Sequence, residues 1–330
     1  MADPNAFTGA ELDRAGDGRR TDAAWLEAQR DDPRARALLL GDAGLRAEGG
    51  RLETLSLAEA IEGADGGGAG DGAGPVLLGD DGSGPLWALD VDPPDSDPAK
   101  RPRLIGALGP RDISPGDFAE GWLGLREAAA TLPAAEGGLA AYAASLLNWH
   151  RSHRFCANCG AATDLAEGGM VRVCPRCRSQ HHPRTDPVVI MLVVGPEGAL
   201  LGRRGNWPER RYSALAGFVS PGESLEEAVA REVLEEAGVA IGPPRYVSSQ
   251  PWPFPASLML GFIAPWEGGE IGGSDPELED VRWFPRDDVA EAARHEDDWT
   301  TDTPDASLLL PPRTAIARRL VEEWLGSGPG

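Results

Sequence analysis

Two groups of residues in this sequence have types and spacing that suit metal chemistry. The first is a set of carboxylates in the stretch GFVSPGESLEEAVAREVLEEAGV, from Gly217 to Val239. Glu232, Glu235 and Glu236 stand at i, i+3 and i+4, so on a helix they lie on one side of one turn. Such carboxylates repel each other, and a hard divalent cation, Mg²⁺ or Mn²⁺, would relieve the repulsion. A solvated acidic helix face is the alternative interpretation of the carboxylates alone.

The second group is four cysteines in two C-x-x-C pairs, Cys156 with Cys159 and Cys174 with Cys177. Two pairs at this spacing are typical of one Zn²⁺ bound tetrahedrally by four thiolates. With four protein ligands the zinc has no open coordination position, so we assign it to structure and not to catalysis. A redox dithiol is the alternative for either pair alone. Paired thiols also favour a reducing compartment, and we expect the protein in the cytoplasm.

The carboxylates need a helix to position them, and the surrounding residues predict one with both ends marked. Ser224 followed by Glu227 is a capping-box pattern, and Gly238 stands where a left-handed C-cap is usual. One buried face is predicted from apolar residues at helical spacing, namely Leu225, Ala228, Val229 and Val233.

Beyond this helix the sequence alternates proline with aromatic residues. The segment consists of Gln250, Pro251, Trp252, Pro253, Phe254, Pro255, Ala256 and Ser257. The three prolines exclude a regular central strand or helix and predict a stiff, extended segment. Its rings suit stacking against a flat heterocycle, with Gln250 and Ser257 offering hydrogen bonds. The alternative is a proline-rich loop whose rings cover the core.

The stretch from Gly217 to Val239 resembles the Nudix box, G-x5-E-x7-R-E-U-x-E-E-x-G-U with U aliphatic, at every fixed position. These positions are Gly217, Glu223, Arg231, Glu232, Val233, Glu235, Glu236, Gly238 and Val239. The chain is similar in particular to the NADH pyrophosphatase subfamily of Nudix hydrolases. That subfamily has a four-cysteine ribbon before the box and S-Q-P-W-P-F-P-x-S after it, in the order found here.

This resemblance implies an α/β fold, a Nudix α/β/α sandwich with a mixed sheet, preceded by a small zinc ribbon. Local patterns before the ribbon predict an N-terminal α/β domain, with a mainly β domain as the alternative. The expected domains are residues 1–148, an N-terminal NADH-pyrophosphatase-like domain, 149–185, the zinc ribbon, and 186–330, the Nudix hydrolase domain. Val188 to Val194 predicts a buried central strand of the last domain.

Local patterns in the first domain predict elements but no chemistry. A helix followed by a strand is expected in TDAAWLEAQRDDPRARALLL, and two strands in PVLLGDDG and GPLWALDV. The Ala- and Leu-rich stretch before the first cysteine predicts two helices broken near Pro133. The glycine-rich run from Gly63 to Gly74 predicts a flexible surface loop.

The resemblance also implies roles for single residues. Glu232 and Glu236 match carboxylates that bind the catalytic metals, and the Ala216 carbonyl matches a position that completes the metal sphere. Glu235 matches a carboxylate available for metal or water activation. Further acids are Glu223, which Arg231 would orient, and Glu277 outside the box, with Glu279 as its nearest rival. The dinucleotide would be bound by Gln250 to Ser257, Phe218, Ala317 and His182, the last standing where the family usually has tyrosine or phenylalanine.

The implied activity is metal-dependent hydrolysis of the pyrophosphate of NADH or NAD⁺, giving nicotinamide mononucleotide and AMP, by a homodimer. Alternatives are another nucleoside diphosphate-X, the NAD cap at an RNA 5′ end, and, from a different class, a non-catalytic zinc-ribbon binding protein that keeps a Nudix fold. The formal net charge of −22 argues against general affinity for nucleic acid or anionic membranes. No apolar run is long enough to predict a membrane span.

Overall fold

The structure is a computed structural model and describes residues 5–41, 44–67, 74–91, 121–273, 276–295 and 307–327. In these residues the helices are α1 (Asp17–Arg20), α2 (Ala23–Asp31), α3 (Leu57–Gly67), α4 (Leu125–Thr131), α5 (Ala134–Ser152), α6 (Leu225–Ala237), α7 (Arg286–Ala292) and α8 (Ile316–Gly326). None of these helices combines the length and apolar character needed to cross a bilayer.

The strands of the described residues form three sheets. They are β1 (Arg36–Gly41), β2 (Gly44–Glu48), β3 (Arg51–Leu52), β4 (Thr54–Ser56), β5 (Val76–Asp80), β6 (Pro85–Asp90), β7 (Trp122–Leu123), β8 (Asp164–Ala166), β9 (Val171–Val173), β10 (Gln180–His181), β11 (Asp186–Gly195), β12 (Gly198–Arg203), β13 (Leu215–Phe218), β14 (Ala240–Ile241), β15 (Arg245–Trp252), β16 (Ser257–Gly268) and β17 (Asp280–Phe284).

The first sheet has the order β3-β2-β1-β6-β5, with β4 paired to β1 and β7 to β2. Strands β1 and β6 are parallel, and the other pairs are antiparallel. Side chains alternate between the two faces, as the strand period of two requires. Leu38 and Leu40 pack with α4 and α5, whereas Ala37 packs with α3. Helix α2, strands β1, β5 and β6 and the break between α4 and α5 at Pro133 confirm the elements predicted for this part of the chain.

The second sheet, β10-β9-β8, is short and antiparallel and belongs to the cysteine-containing segment. The third has the order β14-β16-β11-β12-β17, with β13 paired to β11 and β15 to β16. Its central strand β11 runs parallel to β16.

The predicted central strand is confirmed, and its alternation builds both layers of core in the third sheet. Val188, Ile190 and Leu192 face α7 and α8, whereas the residues between them, Val189, Met191 and Val193, face α6. All six are buried, and burial of such side chains contributes about 1.5–3 kcal/mol each. The third sheet and its helices therefore form the α/β/α sandwich that the resemblance implied.

The glycine-rich run differs from the predicted surface loop. Residues 63–67 continue helix α3 (Leu57–Gly67), and residues 68–73 lie outside the described part of the chain. The helix is stabilised by its first turns, where Leu57 and Ala60 are buried against the sheet. This packing offsets the low helix propensity of glycine over one further turn.

The proline-aromatic segment also differs from an extended loop. Its first three residues end strand β15, and Pro253 to Ala256 form the turn of a hairpin with β16. Pro251 is tolerated because β15 pairs with β16 alone among the described strands, and an edge strand can do without one N–H donor.

Candidate active site

Helix α6 places the carboxylates, and both of its predicted caps are confirmed. The Ser224 hydroxyl accepts from the Glu227 N–H, and the Glu227 carboxylate accepts from the Ser224 N–H. Gly238 ends the helix in the left-handed conformation at φ +74°. Val229 and Val233 are buried against the sheet, which fixes the rotation of the helix. Of the three last-turn acids, Glu232 and Glu236 are buried, and Glu235 is exposed.

The Glu232 carboxylate lies directly against the backbone of Gly217 in β13. A Cβ at position 217 would come within 1.8 Å of Glu232 Cδ. Glycine is therefore required here by close approach and not by a special backbone angle. This contact explains why the motif requires glycine at position 217 when glutamate stands at position 232.

Arg231 binds the acids around it in a network. Its Nε and Nη2 donate to the two oxygens of Glu223, at 2.5 and 2.9 Å, and its Nη1 donates to Glu232 and Glu235. It also donates to the carbonyl of Phe218. Hydrogen bonds from Arg231 lower the pKa of Glu223 to about 2. The predicted role of Arg231 in orienting Glu223 is thus visible as charge-assisted bonds.

The surroundings of Glu236 disfavour the charged form of its carboxylate. Burial raises its pKa to about 8, and the neighbouring charges of Glu232 and Glu277 add to the rise. Its Oε2 is buried and has no hydrogen-bond partner among the described residues. Carboxylate oxygens in this arrangement fit the ligand preference of Mg²⁺ or Mn²⁺. The residues present therefore fit a divalent cation.

The two candidate acids outside the motif differ in their surroundings. Glu277 acts electrostatically on Glu236 and forms an ion pair with Arg204. Glu279 instead pairs with Arg203 at 2.8 Å, and its backbone N–H bonds the carbonyl of the same arginine. Glu277 thus lies within reach of the buried carboxylates.

The hairpin rings pack against residues from the first part of the chain. Trp252 and Phe254 meet edge to face with centroids 5.2 Å apart, and the buried Phe7 contacts both rings at about 6 Å. The Arg126 guanidinium lies 4.2 Å from the centroid of Phe254, a cation–π distance. The first sheet domain therefore borders the predicted dinucleotide segment.

Gln250 is 1% exposed and bonded to protein on both ends of its amide. Its Nε2 donates to the carbonyls of Ala6 and Thr314 at 3.1 and 2.8 Å, and its Oε1 accepts from the N–H of Ile316 at 2.8 Å. The Gln250 side chain therefore links the hairpin to two other segments of the chain, one containing Ala6 and the other containing Thr314 and Ile316.

The other residues predicted to contact the dinucleotide differ in their solvent exposure. Ser257 is buried where β16 begins, beside Asp186 of β11. Ala317 belongs to α8 and is buried in the core. Phe218 is 43% exposed next to the motif, and His182 is exposed on the segment that leads into β11.

The four cysteines form the predicted cluster. Their sulfur atoms all lie within 4.8 Å of one another, and no other group of three or more His, Cys, Asp or Glu ligand atoms among the described residues is so close. Tetrahedral zinc with Zn–S of about 2.3 Å places sulfurs about 3.8 Å apart. The residues therefore fit one structural Zn²⁺. Hydrogen bonds from the Ser179 hydroxyl and N–H lower the pKa of Cys177, and a bound Zn²⁺ would favour the thiolate form of all four cysteines.

The cysteine turns share one geometry. The N–H of Gly160 bonds the carbonyl of Cys156, and the N–H of Arg178 bonds that of Cys174, each at 2.9 Å. Gly160 and Arg178 both have positive φ, at +73° and +63°. Gly160 adopts this left-handed conformation without a steric penalty, and Arg178 adopts it despite its Cβ.

Sequence reasoning missed Phe7, Arg126 and Arg204 at this site. Phe7 and Arg126 carry no motif, and only the folded chain brings them to a hairpin more than 120 residues away. For Arg204 a weak signal existed, because it lies in an arginine-rich stretch of an acidic protein, between the predicted central strand and the motif.

The sandwich and the acid-bearing loop–helix–loop define a Nudix domain. Residues 184–302 match the NUDIX domain family, residues 151–181 the NADH pyrophosphatase zinc ribbon domain, and residues 30–149 the NADH pyrophosphatase-like rudimentary NUDIX domain.

Curated relatives agree with these matches. The chain is 42% identical to the NAD-capped RNA hydrolase NudC of Stutzerimonas stutzeri, over 62% of this chain and 67% of that protein. It is 47% identical to the NudC protein of Mycobacterium bovis, over 56% of this chain and 59% of the relative. It is 43% identical to the human NAD-capped RNA hydrolase NUDT12 over 59% of this chain, and spans only 43% of the human protein. The chain belongs to this family, the Nudix proteins with an NADH pyrophosphatase zinc ribbon.

Proposed function

We propose that the chain is a hydrolase that cleaves the pyrophosphate of NADH or NAD⁺ to nicotinamide mononucleotide and AMP with Mg²⁺ or Mn²⁺. One observation carries this proposal. The buried Oε2 of Glu236 has no hydrogen-bond partner in the described chain and lies beside two further acids, Glu232 and Glu277. A buried carboxylate oxygen without a partner, next to other acids, is costly unless it binds a cation.

In this proposal Glu232, Glu236 and Glu277 hold the divalent cations, together with the carbonyl of Ala216. When bound, the cations neutralise the bridging phosphates and lower the pKa of an attacking water. Glu223 contributes through the Arg231 network, which fixes the geometry of Glu232. Glu235 is exposed and not buried with its neighbours, so it is the acid best placed to accept a proton from water.

The dinucleotide would bind along the hairpin from Gln250 to Ser257. Trp252 and Phe254 are only partly buried, so their rings retain surface for a flat base. Phe218 next to the motif, His182 before β11 and Ala317 in α8 would complete the pocket. The fixed position of the hairpin, supported by Gln250, would hold the pyrophosphate over the carboxylates.

The test is product analysis after incubating purified protein with NADH, NAD⁺ and ADP-ribose, each with Mg²⁺, Mn²⁺ or EDTA. AMP and nicotinamide mononucleotide should appear only with metal and should be lost in Glu236→Gln. Glu226→Gln is the matched control, because Glu226 is an exposed glutamate in the first turn of the same helix. Turnover of ADP-ribose without cleavage of either dinucleotide would contradict the proposed substrate.

A second candidate substrate is RNA with a 5′ NAD cap, because the relatives reported above are named NAD-capped RNA hydrolases. Cleavage of the cap requires the same pyrophosphate chemistry. RNA contacts outside the cap would make cleavage of capped RNA fall steeply with salt, whereas cleavage of free NADH should change little. Equal salt dependence for the two substrates would argue against contacts with the RNA body.

We also propose a cytoplasmic homodimer with residues 1–148, 149–185 and 186–330 as its domains. The four cysteines are free of disulfides, which supports a reducing compartment. Sedimentation equilibrium of the zinc-loaded protein measures the assembly, and a monomer at micromolar concentration would contradict it.

A further inference from the structure

Arg204 lies one residue beyond β12, close to the acidic cluster on α6. Its guanidinium forms an ion pair with Glu277, and its side chain is only 17% exposed. Its positive charge also acts on Glu236, where it opposes the effect of Glu277. Arg204 therefore stands among the same acids that the proposed function assigns to divalent cations.

The neighbouring Arg203 has a different environment. It pairs with Glu279 and donates to the carbonyl of Trp207 at 2.7 Å. Two consecutive arginines thus bind two acids that are themselves two residues apart, and the Glu279 N–H also donates to the Arg203 carbonyl at 2.9 Å. Arg203 stabilises the loop, whereas Arg204 belongs to the acidic cluster.

A guanidinium and a divalent cation compete for the same carboxylate. Binding of a cation by Glu236 and Glu277 would place it next to the Arg204 guanidinium. Repulsion between the two positive charges would displace the guanidinium, which can move on its long side chain. A guanidinium matches phosphate oxygens well, with two parallel hydrogen bonds. A released Arg204 would remain attached beside the cluster, within reach of a diphosphate bound there.

We propose that Arg204 is an exchangeable counter-cation of this site, bound to Glu277 without metal and transferred to a substrate phosphate when divalent cations bind. The proposal rests on the proposed function and adds a phosphate-binding residue outside the Nudix box. It also assigns Arg204 a second effect, because the arginine weakens metal binding as long as no substrate is present.

The first measurement is Mn²⁺ binding to the full-length, zinc-loaded protein without substrate, by electron paramagnetic resonance of the free ion. Arg204→Gln should bind Mn²⁺ about tenfold more tightly than wild type, because the competing charge is removed. Arg204→Lys keeps the charge and should stay within about threefold of wild type. Arg203→Gln is the matched control and should leave the affinity unchanged.

The second measurement is steady-state hydrolysis of NADH at saturating Mn²⁺. Arg204→Gln should raise KM about tenfold with a smaller change in kcat, and Arg204→Lys should recover part of the loss. Unchanged or weaker Mn²⁺ binding in Arg204→Gln would overturn the proposal, as would an equal effect of Arg203→Gln. Because Mn²⁺ binding needs no turnover, this result is independent of whether NADH is the substrate.

Discussion

The carboxylate of Glu232 occupies the space that a side chain at position 217 would need, since a Cβ there would approach Glu232 Cδ to 1.8 Å. The contact joins strand β13 to helix α6 at the centre of the candidate site. The position of Glu232, a proposed metal ligand, therefore depends on the absence of a Cβ atom at position 217 in β13.

Gly217→Ala should therefore move Glu232 and lower kcat/KM by about 100-fold, since a displacement of about 1 Å at a reacting centre has such an effect. Overpacking should also lower the free energy of unfolding by about 1–3 kcal/mol. Activity assays and urea unfolding measure the two effects. Gly205→Ala is the control, because its Cβ would meet only the Glu279 side chain at 3.8 Å. Wild-type activity in Gly217→Ala would show that Glu232 can shift without consequence.

Arg231 is the next site to test, because it neutralises three glutamates. Arg231→Ala should lower the Tm of the zinc-loaded protein by about 5 °C when no Mg²⁺ is added, and Mg²⁺ should restore part of the loss, since the cation replaces the missing charge. Differential scanning calorimetry with and without Mg²⁺ measures this. Arg294→Ala removes only an exposed pair with Glu291 and should change Tm by about 1 °C or less. A Tm loss that Mg²⁺ leaves unchanged would count against metal binding by these acids.

Gln250→Ala should lower the free energy of unfolding by about 2–4 kcal/mol. The substitution leaves the carbonyls of Ala6 and Thr314 and the N–H of Ile316 without their partner. Urea unfolding measures the loss, with the exposed Gln180→Ala as control. If the variant were as stable as wild type but had a higher KM, Gln250 would bind the substrate directly.

Acid stability should depend on His150, which is fully buried in α5. Arg172 Nη1 donates to Nδ1 at 3.1 Å, so Nε2 carries the proton and donates to the Gly169 carbonyl at 2.8 Å. Burial lowers its pKa from 6.5 to about 4. As pH falls below 6.5, His150 binds a proton in the unfolded chain but stays neutral in the native protein until about pH 4. The free energy of unfolding therefore decreases from pH 6.5 down to about 4.

His150→Gln keeps a donor for Gly169 and an acceptor for Arg172 but does not titrate. Its free energy of unfolding should therefore fall less than that of wild type over this pH range, by up to about 3 kcal/mol. Urea unfolding at a series of pH values, with both proteins zinc-loaded, measures the difference. Parallel pH profiles would show that His150 is protonated in the native state.

Zinc content should separate the two metal sites. Wild-type protein should contain one zinc per chain by mass spectrometry, and Cys174→Ser should lose both the zinc and the folded ribbon, since Cys174 is a fully buried member of the cluster. Glu232→Gln should keep its zinc while it loses hydrolysis. Loss of zinc in Glu232→Gln would mean that the two sites are coupled.

Sequence reasoning succeeded where the determining interactions are local. The capping box of Ser224 and Glu227, the Gly238 stop and the apolar run of β11 lie within a few residues of the features they specify. The cysteine cluster was also predictable, because the spacing of its pairs is itself the signal. The hydrogen bonds from Arg231 to Glu223 were also predictable, because both residues occupy fixed positions of the Nudix box.

Interactions between distant segments were beyond its reach. No pattern around Gln250 indicates that its amide binds residues 64 and 66 positions away and another 244 positions away. Arg204 and Glu277 likewise meet only because β12 pairs with β17. The helical glycines after Ile61 and the strand position of Pro251 depend on packing and on an edge location, and both override local propensity.

The binding of Asn5 and Ala6 to the hairpin sets an order of events during synthesis. Asn5 donates to the carbonyl of Ser249 across 244 residues of sequence, and Phe7 packs against rings made equally late. These early residues leave the ribosome long before their partners exist. They must therefore wait without their native contacts until β15, the hairpin turn and α8 have emerged. Their docking is a closing step of folding, and it secures the hairpin only after translation of the whole Nudix region.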